Sequence, residues 1–545
     1  MTLVSEEISQ QVTRDGRLDP LDRLDRTLAR LGRLCPELPL LAIQWMTVKH
    51  PLLPLHESWL QQTRSRSRHE RSQAFTEGIR WLIVLCAQGG KCFVHAIFLS
   101  VLLAWLRWRL RYALATLARQ RFDLVAKSWS VDPTRLPEAG DFYFGDLQRR
   151  LAHRHYAMLL LCGDARAPIF GPRRWRTFAD THTRTGALPQ LPELSLVSPR
   201  APLRMAFQQV RTHLRLRRIA LRSRHLSLRQ LIESACRDCL SIQTTYNGLQ
   251  FWVGQAVTRL WQPCALLTLY EGNSWERCLW WGAKTAEPSC RSVGYQHTIL
   301  MPHNRTLLRP SSDDRGFARP DVVLCLGPRT RTLLQASHQR STLISFGTFR
   351  QVPERGGTYQ PRPSLRTVLV VLEGILADAR LLFNTACRAA VACPEHRFIF
   401  RCHPVLPFDR VHPSLMRGLE RIPNIEISSR SIEADCIRSS VVLYRGSSAV
   451  LYAILYGLKP IYLHDERVRD VDPLFELQTW RERACTRTLP TVLRQYAQED
   501  REVTGASWRQ AADYVEAYTV SASESAIDQF VHVLSFPAAQ SQGVG

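Results

Sequence analysis

Two short runs decide how this chain is read: Phe398-Ile399-Phe400-Arg401-Cys402-His403-Pro404, and Val441-Val442-Leu443-Tyr444-Arg445-Gly446-Ser447-Ser448. In each, an apolar stretch of the length of a buried parallel strand stops on polar residues. Ligands of open parallel sheets bind at the carboxyl ends of the strands, so Arg401, His403, Arg445, Ser447 and Ser448 are expected on one rim. Ala449 to Leu455 has helical character, with Gly457 as its stop and Ser447 or Ser448 as its N-cap. Hydroxyls, cations and free N–H groups gathered there suit an anion, a phosphate first of all. The plainer alternative is a strand–turn–helix with ordinary capping serines.

The flanking sequence alternates strand and helix patterns. Thr367 to Leu372 reads as a strand ending on Glu373-Gly374, and Ala377 to Val391 as the helix after it. Upstream, Leu147 to His153 reads as a helix and Ala157 to Cys162 as a strand. Ala265 to Tyr270 is a strand ending on Glu271-Gly272-Asn273-Ser274-Trp275-Glu276, with Ser274 able to cap a helix. The next strand ends on Gly294-Tyr295-Gln296-His297. Asp321 to Leu326 and Leu343 to Gly347 are two more. Pro168 to Pro202 reads as largely loop, Leu203 to Leu260 as an Arg-dense helical insert, and the Pro- and Ser-rich Met301 to Pro320 as a crossing between domains. The pattern is that of an α/β protein with parallel sheets.

The pair R-x-H-P (Arg401 to Pro404) and S-S-x-x-x-x-A-x-x-x-G-x-x-P (Ser447 to Pro460) resembles the C-terminal half of bacterial surface-carbohydrate glycosyltransferases of GT-B architecture. Polysialyltransferases, Kdo transferases and CDP-glycerol glycerophosphotransferases are the nearest in kind. Asp141-Phe142-Tyr143-Phe144-Gly145 ahead of a helix, and Glu271 to Glu276 followed by Gly294 to His297, extend the resemblance over about residues 140 to 480. It implies two Rossmann-like domains, and a nucleotide donor whose phosphate and ribose are held by the HP and SS motifs. Carried onto this chain, the nucleotide-sugar residues are Arg401, His403, Pro404, Arg445, Gly446, Ser447, Ser448 and Glu373. Tyr452 stands where the family usually has Glu, which puts a ribose or helix-cap contact there in doubt.

The expected division is 1–135, a helical N-terminal extension with a membrane contact; 136–315, an acceptor-side Rossmann-like domain; 316–535, a nucleotide-donor domain; and 536–545, a frayed tail. The expected chemistry is metal-independent, inverting transfer from a CMP- or other nucleotide sugar, with no cofactor beyond the donor. His403, Arg401 and the serine turn stabilise the departing phosphate. Glu271 is the first choice for the base that takes the acceptor proton, and His297 the second. Against these stand a structural carboxylate at Glu271 and a stacked core histidine at His403. A catalytically idle glycan-binding assembly or export factor is the alternative for the whole chain.

Composition sets the outer limits. At 545 residues, 45% hydrophobic and 22% charged, the chain has the length of two to four globular domains. Of 72 basic residues only five are lysines, and the net charge is +24. Genomic base composition accounts for such an arginine excess, and so does attraction to nucleotide sugars, anionic glycans or a membrane surface. No RNP, zinc-finger or heptad signature argues for nucleic acid. Fifteen scattered cysteines point to reduced thiols in the cytoplasm. Cys236 and Cys239 form a lone CxxC without a second pair at zinc spacing. Met1 to Pro20 has no signal-peptide pattern.

Cys92 to Leu106 is strongly apolar and closed by Arg107, Arg109 and Arg111. At about fifteen residues it falls short of the roughly twenty that span a bilayer, with Gly89-Gly90-Lys91 as the interruption. It suits an interfacial helix or a buried one. Gly90-Lys91 lacks the rest of a P-loop, no G-x-S-x-G surrounds the serines, and no G-x-G-x-x-G follows a strand. Asp470-Val471-Asp472 is a formal D-x-D that ends no convincing central strand.

Overall fold

The computed structural model describes residues 73–130, 140–164, 172–222, 232, 235–236, 239–301, 304–308, 319–350, 352, 360–403, 406, 408, 421–465, 470–499 and 501–535. Two parallel sheets organise them. The first holds β1 (Leu124–Ser130), β2 (Met158–Asp164), β3 (Gln190–Pro192), β4 (Ala265–Leu269), β5 (Arg291–Tyr295), β6 (Val322–Cys325) and β7 (Thr342–Ser345), in the order β3-β2-β1-β4-β5-β6-β7. The second holds β8 (Thr367–Val371), β9 (Arg397–Arg401), β10 (Ile425–Ile427), β11 (Val441–Tyr444), β12 (Lys459–Leu463) and β13 (Glu482–Ala484), in the order β10-β9-β8-β11-β12-β13. The central strands β4, β8 and β11 are buried along their whole length, which is why they read as unbroken apolar runs.

Each sheet reverses its winding once, between β1 and β4 in the first and between β8 and β11 in the second. The result is the expected pair of Rossmann-like α/β domains, each with its own hydrophobic core. The helices that matter below are α1 (Gln73–Arg109), α2 (Ala201–Arg222), α3 (Ile242–Trp261), α4 (Ser274–Ala286), α5 (Leu376–Ala392), α6 (Ala449–Leu455), α7 (Leu489–Tyr496), α8 (Arg501–Tyr518) and α9 (Glu524–Ser535).

The domain limits differ from those expected. β1 lies in the stretch assigned to the helical extension, yet it is a central strand of the first sheet. β6 and β7, assigned to the donor domain, continue the first sheet by pairing with β5. The crossing therefore follows β7, not Met301 to Pro320. At the other end, α9 leaves the second domain and returns to the first, where Ile527 and Phe530 enter the first core. Arg154 holds it there with Asp528 at 2.6 Å and Glu524 at 2.7 Å. The chain thus passes between domains twice, side by side. Thr348 N–H donates to the Val520 carbonyl and Ala522 N–H to that of Thr348. Gly347 adopts φ +96°, and a Cβ there would lie 2.7 Å from the Val520 carbonyl oxygen, so the close crossing requires glycine.

Two further expectations are corrected. Pro172–Thr181 is a helix and Gln190–Pro192 a strand within the stretch read as loop. Gly89-Gly90-Lys91 does not interrupt α1, which runs unbroken for 37 residues. Tertiary contact overrides the glycine pair: α1 packs along α2, with Gly89 facing Val210. Leu85–Arg109 is long and apolar enough to cross a membrane by length and composition, and 44% of its apolar window is buried inside the protein.

Candidate functional site

The candidate residues stand at the carboxyl ends of β4 and β5 in the first sheet and of β8, β9 and β11 in the second, at or next to the two reversals, where ligands of doubly wound sheets bind. On the first sheet, β4 leads into Glu271 and β5 into His297. Sequence reasoning offered these as competing bases, and the structure puts them in contact: Glu271 Oε1 lies 3.4 Å from His297 Nε2. The Glu271 side chain is 26% exposed and that of His297 8%, so the carboxylate is the outer member. His297 Nδ1 faces the Tyr295 carbonyl at 3.4 Å, and the Tyr143 ring meets the imidazole edge-on at 4.9 Å.

Glu276 builds the turn that carries Glu271. Its carboxylate accepts from the backbone N–H groups of Glu271, Gly272 and Asn273 at 2.9–3.1 Å, and from Asn273 Nδ2 at 3.0 Å. Asn273, not Ser274, is the N-cap of α4; Ser274 Oγ instead accepts from Asn247 of α3. Burial, and then the Glu271 carboxylate, push the Glu276 carboxyl up to about 8 against these four donors. Sequence reading gave Glu276 no role, although an Asn followed three residues later by Glu is a helix-start signature.

Asp141 likewise locks the turn beyond β1. It accepts from Ser128 Oγ and from the N–H groups of Tyr143 and Phe144. That turn presents Phe142 and Tyr143 to the exposed guanidinium of Arg350, whose carbon lies 4.9 Å and 5.9 Å from the two ring centres. Burial and the Glu271 carboxylate raise the Tyr143 phenol to about 12. Arg350 follows the first interdomain crossing. Burial raises the phenol of Tyr452, on α6 of the second domain, and the nearby Arg350 charge opposes part of that rise, so Arg350 has neighbours in both domains.

On the second sheet, Glu373 follows β8 and the Arg445–Ser448 turn follows β11. Gly446 adopts φ +77°, and a Cβ there would sit 3.2 Å from Glu373 Cγ, so the carboxylate side chain lies directly over the turn. Ser447 is buried and its Oγ accepts from Ala449 N–H at 3.3 Å; Ser448 is the N-cap of α6 without a side-chain cap bond. α6 has only seven residues. His403 stands beyond the end of β9, its carbonyl accepting from Leu406 N–H. Pro404 lies outside the described residues.

Two expected phosphate ligands are turned to other work. Arg445 is 1% exposed and points inward; its Nε donates to Asp378 at 2.8 Å, and its Nη1 to Tyr462 Oη and the Leu463 carbonyl, each at 3.0 Å. It holds the turn rather than reaching a ligand, because a strand-end arginine beside a buried acid is neutralised there. Arg401 donates from Nη1 to Asp435 at 3.1 Å and to the Arg430 carbonyl at 2.6 Å, which leaves Nε and Nη2 for a ligand. Asp470 and Asp472 face Arg483 and Arg481 respectively.

No protein-family model matches the sequence, and no curated protein matches it. Solved structures similar to it are glycosyltransferases and UDP-GlcNAc 2-epimerases. The glycotransferase of kitacinnamycin is 12% identical, with 76% of this chain and 100% of that one covered at a TM-score of 0.43. The UDP-GlcNAc 2-epimerase of Methanocaldococcus jannaschii, solved with UDP-GlcNAc and UDP, is 10% identical over 76% and 99% at 0.43. The spinosyn rhamnosyltransferase SpnG, solved with thymidine diphosphate, is 14% identical over 76% and 100% at 0.39.

Proposed function

We propose that this chain is a glycosyltransferase that moves a sugar from a nucleotide-activated donor to a hydroxyl of a glycan or glycolipid acceptor, in the building of a surface polysaccharide. The observation that carries the reading is the Glu271–His297 pair beside the reversal of the first sheet, with the Gly446–Glu373 turn at the reversal of the second. Transfer to a hydroxyl needs a base within hydrogen-bond reach of the proton removed. Glu271, the outer member, takes that proton. His297 sets the orientation of the carboxylate and shares the charge. Departure of the nucleotide leaves negative charge on a phosphate, which falls to His403, the free edge of Arg401 and the backbone N–H groups of the turn after β11. Base and phosphate on opposite walls would give attack from the face opposite the leaving group, hence inversion, with protein cations and N–H groups rather than a metal taking up the phosphate charge.

The acceptor end also suggests a place of work. The outer face of α1 exposes Val94, Ile97, Phe98, Val101 and Trp108, and that of α2 exposes Phe207, Leu214 and Leu221. Arg204, Arg211, Arg215 and Arg218 are exposed along the same helix, and neither Leu85 to Arg121 nor Arg200 to Arg222 contains an acidic residue. Arg111 lies over the Trp108 and Tyr112 rings at 5.1 Å and 4.4 Å. Apolar side chains framed by basic residues, with no acidic ones among them, suit an anionic lipid surface, the inner face of the cytoplasmic membrane.

A second reading, a catalytically idle glycan-binding assembly factor, is favoured by the inward commitment of Arg445. The two are separated by assaying CMP-, CDP-, UDP- and GDP-activated donors with wild type and with Glu271→Gln. An enzyme turns over one of them, and Glu271→Gln lowers turnover by about a hundred- to ten-thousandfold with nucleotide affinity unchanged. Nucleotide binding without turnover in wild type selects the idle factor. Near-normal turnover in Glu271→Gln with none in His297→Ala makes His297 the base.

A further inference from the structure

At the end of the second sheet away from the cleft, the turn Cys393-Pro394-Glu395-His396 joins α5 to β9. The Cys393 thiol, a Glu395 carboxylate oxygen and a His396 ring nitrogen lie within 4.8 Å of one another. Cys393 is wholly buried and His396 is 3% exposed. His396 Nδ1 has no hydrogen-bond partner, although it is buried, and it faces Glu395 Oε1 at 3.6 Å. A buried ring nitrogen without a partner costs free energy unless something occupies it. The Leu493 backbone of α7 is the ring's other neighbour, and a backbone group beside a histidine ring is a common means of fixing the orientation of a metal ligand.

The turn is also held rigidly. Asn424 Nδ2 donates to the carbonyls of Ala390 at 2.9 Å, Cys393 at 3.3 Å and His396 at 2.8 Å. His396 N–H donates to the Cys393 carbonyl at 3.0 Å. Cys393 Sγ faces the Pro490 carbonyl at 3.9 Å. Glu395 is the outer member, and Arg494 Nε donates to its Oε1 at 3.1 Å. Arg366 is the other cation near the ring.

We propose that Cys393, Glu395 and His396 form a three-ligand site for a thiophilic divalent cation, zinc foremost, with solvent in the fourth position. Sulfur, imidazole nitrogen and carboxylate oxygen together are a zinc donor set. Bonds of about 2.0–2.3 Å place tetrahedral ligand atoms roughly 3.3–3.8 Å apart, so the set closes by rotamer adjustments of about an ångström. The thiol proton passes to solvent as the sulfur–metal bond forms, and the two anionic ligands balance the dication. The bound ion ties the turn after α5 to α7, since Leu493 orients the histidine and Arg494 the carboxylate. The site sits at the amino end of β9, a strand's length from His403, so it acts on the stability of the second domain and not on transfer.

The test uses the full chain stripped with a chelator. Zinc is titrated against a chromophoric competitor, and cobalt(II) is titrated while thiolate-to-cobalt absorption is followed. The expected result is one equivalent per chain, a thiolate–cobalt band, and a rise in melting temperature with zinc. Cys393→Ser abolishes the band. Glu395→Gln, a substitution at a half-exposed position, keeps the fold and the band while weakening affinity by roughly ten- to a hundredfold. Cys236→Ser, in the other thiol pair, changes nothing. Zinc binding that survives in both Cys393→Ser and Glu395→Gln, or that is lost in Cys236→Ser, overturns the proposal, as does the absence of a stoichiometric equivalent in wild type. If Cys393→Ser does not fold, Glu395→Gln and His396→Gln decide by affinity alone.

Discussion

Arg445 offers the sharpest test of how the donor-side turn is built. A guanidinium at the end of β11 either reaches a ligand or holds the protein. Here it is 1% exposed, with Asp378 at 2.8 Å and two further acceptors at 3.0 Å. Replacing it by Met keeps most of the volume but leaves the Asp378 carboxylate, the Tyr462 hydroxyl and the Leu463 carbonyl without that donor in a buried place. Breaking a buried pair by removing one partner costs about 3–5 kcal/mol, and a domain of this size loses roughly 2–4 °C of melting temperature per kcal/mol. Arg445→Met should therefore lower the melting temperature of the ligand-free protein by about ten degrees. Adding Asp378→Leu removes the stranded charge, and since apolar replacement of a whole buried pair is often neutral, the double variant should regain much of the loss. Calorimetry on the two single variants and the double one closes the cycle. The reasoning is refuted if Arg445→Met melts with wild type while losing nucleotide affinity, because Arg445 would then be spent on the ligand.

Three more outcomes are expected. His403→Ala should weaken nucleotide binding about ten- to a hundredfold, the worth of one charge-assisted hydrogen bond, as read by isothermal titration; unchanged affinity removes His403 from the phosphate site. Full-length protein should sediment with vesicles containing anionic lipid and much less with neutral ones, by about 1 kcal/mol per engaged arginine; Val101→Asp combined with Phe207→Asp should abolish this, and equal binding of that variant places the contact elsewhere. His338 is held near 3 by burial and by Arg319, below its ordinary 6.5. The fold keeps it neutral, so its contribution is complete above pH 6.5 and declines as pH falls toward 3. That makes about 2 kcal/mol lost by pH 5. Denaturant titrations of His338→Gln should show a flatter pH dependence over that window, and a slope equal to wild type would count against it.

What could be read from the sequence was what local pattern controls. β11 and α6 have the limits expected of them, because a fully buried strand and its turn are written in consecutive residues. β1 was hidden for a physical reason. Asp123-Leu124-Val125-Ala126-Lys127-Ser128-Trp129 carries a lysine where a central strand should be apolar. The structure accommodates that lysine wholly buried, its Nζ 3.6 Å and 3.7 Å from the Trp129 and Trp275 ring centres and 3.2 Å from Glu193 Oε2. Two of those partners lie more than sixty residues away, so no window of sequence could contain them. The misplaced domain border has the same origin. β6 and β7 look like any other strands, and only their pairing with β5 assigns them to the first sheet.

The site divides along the same line. Strand ends can be located from sequence, and Glu271, His297, Glu373 and Gly446 do follow the ends of β4, β5, β8 and β11. What a side chain does at a strand end depends on what the fold sets opposite it, and that is why equal-looking residues part company. Glu271 meets a histidine and stays partly open, whereas Arg445 meets a buried aspartate and is drawn inside. Arg350 shows the converse. It follows no motif and lies in a connection, yet the fold sets it beside Phe142 and Tyr143. Its side chain is exposed where that of Arg445 is buried, so Arg350 joins Arg401 as a cation open to an incoming ligand, a part that Arg445 cannot take.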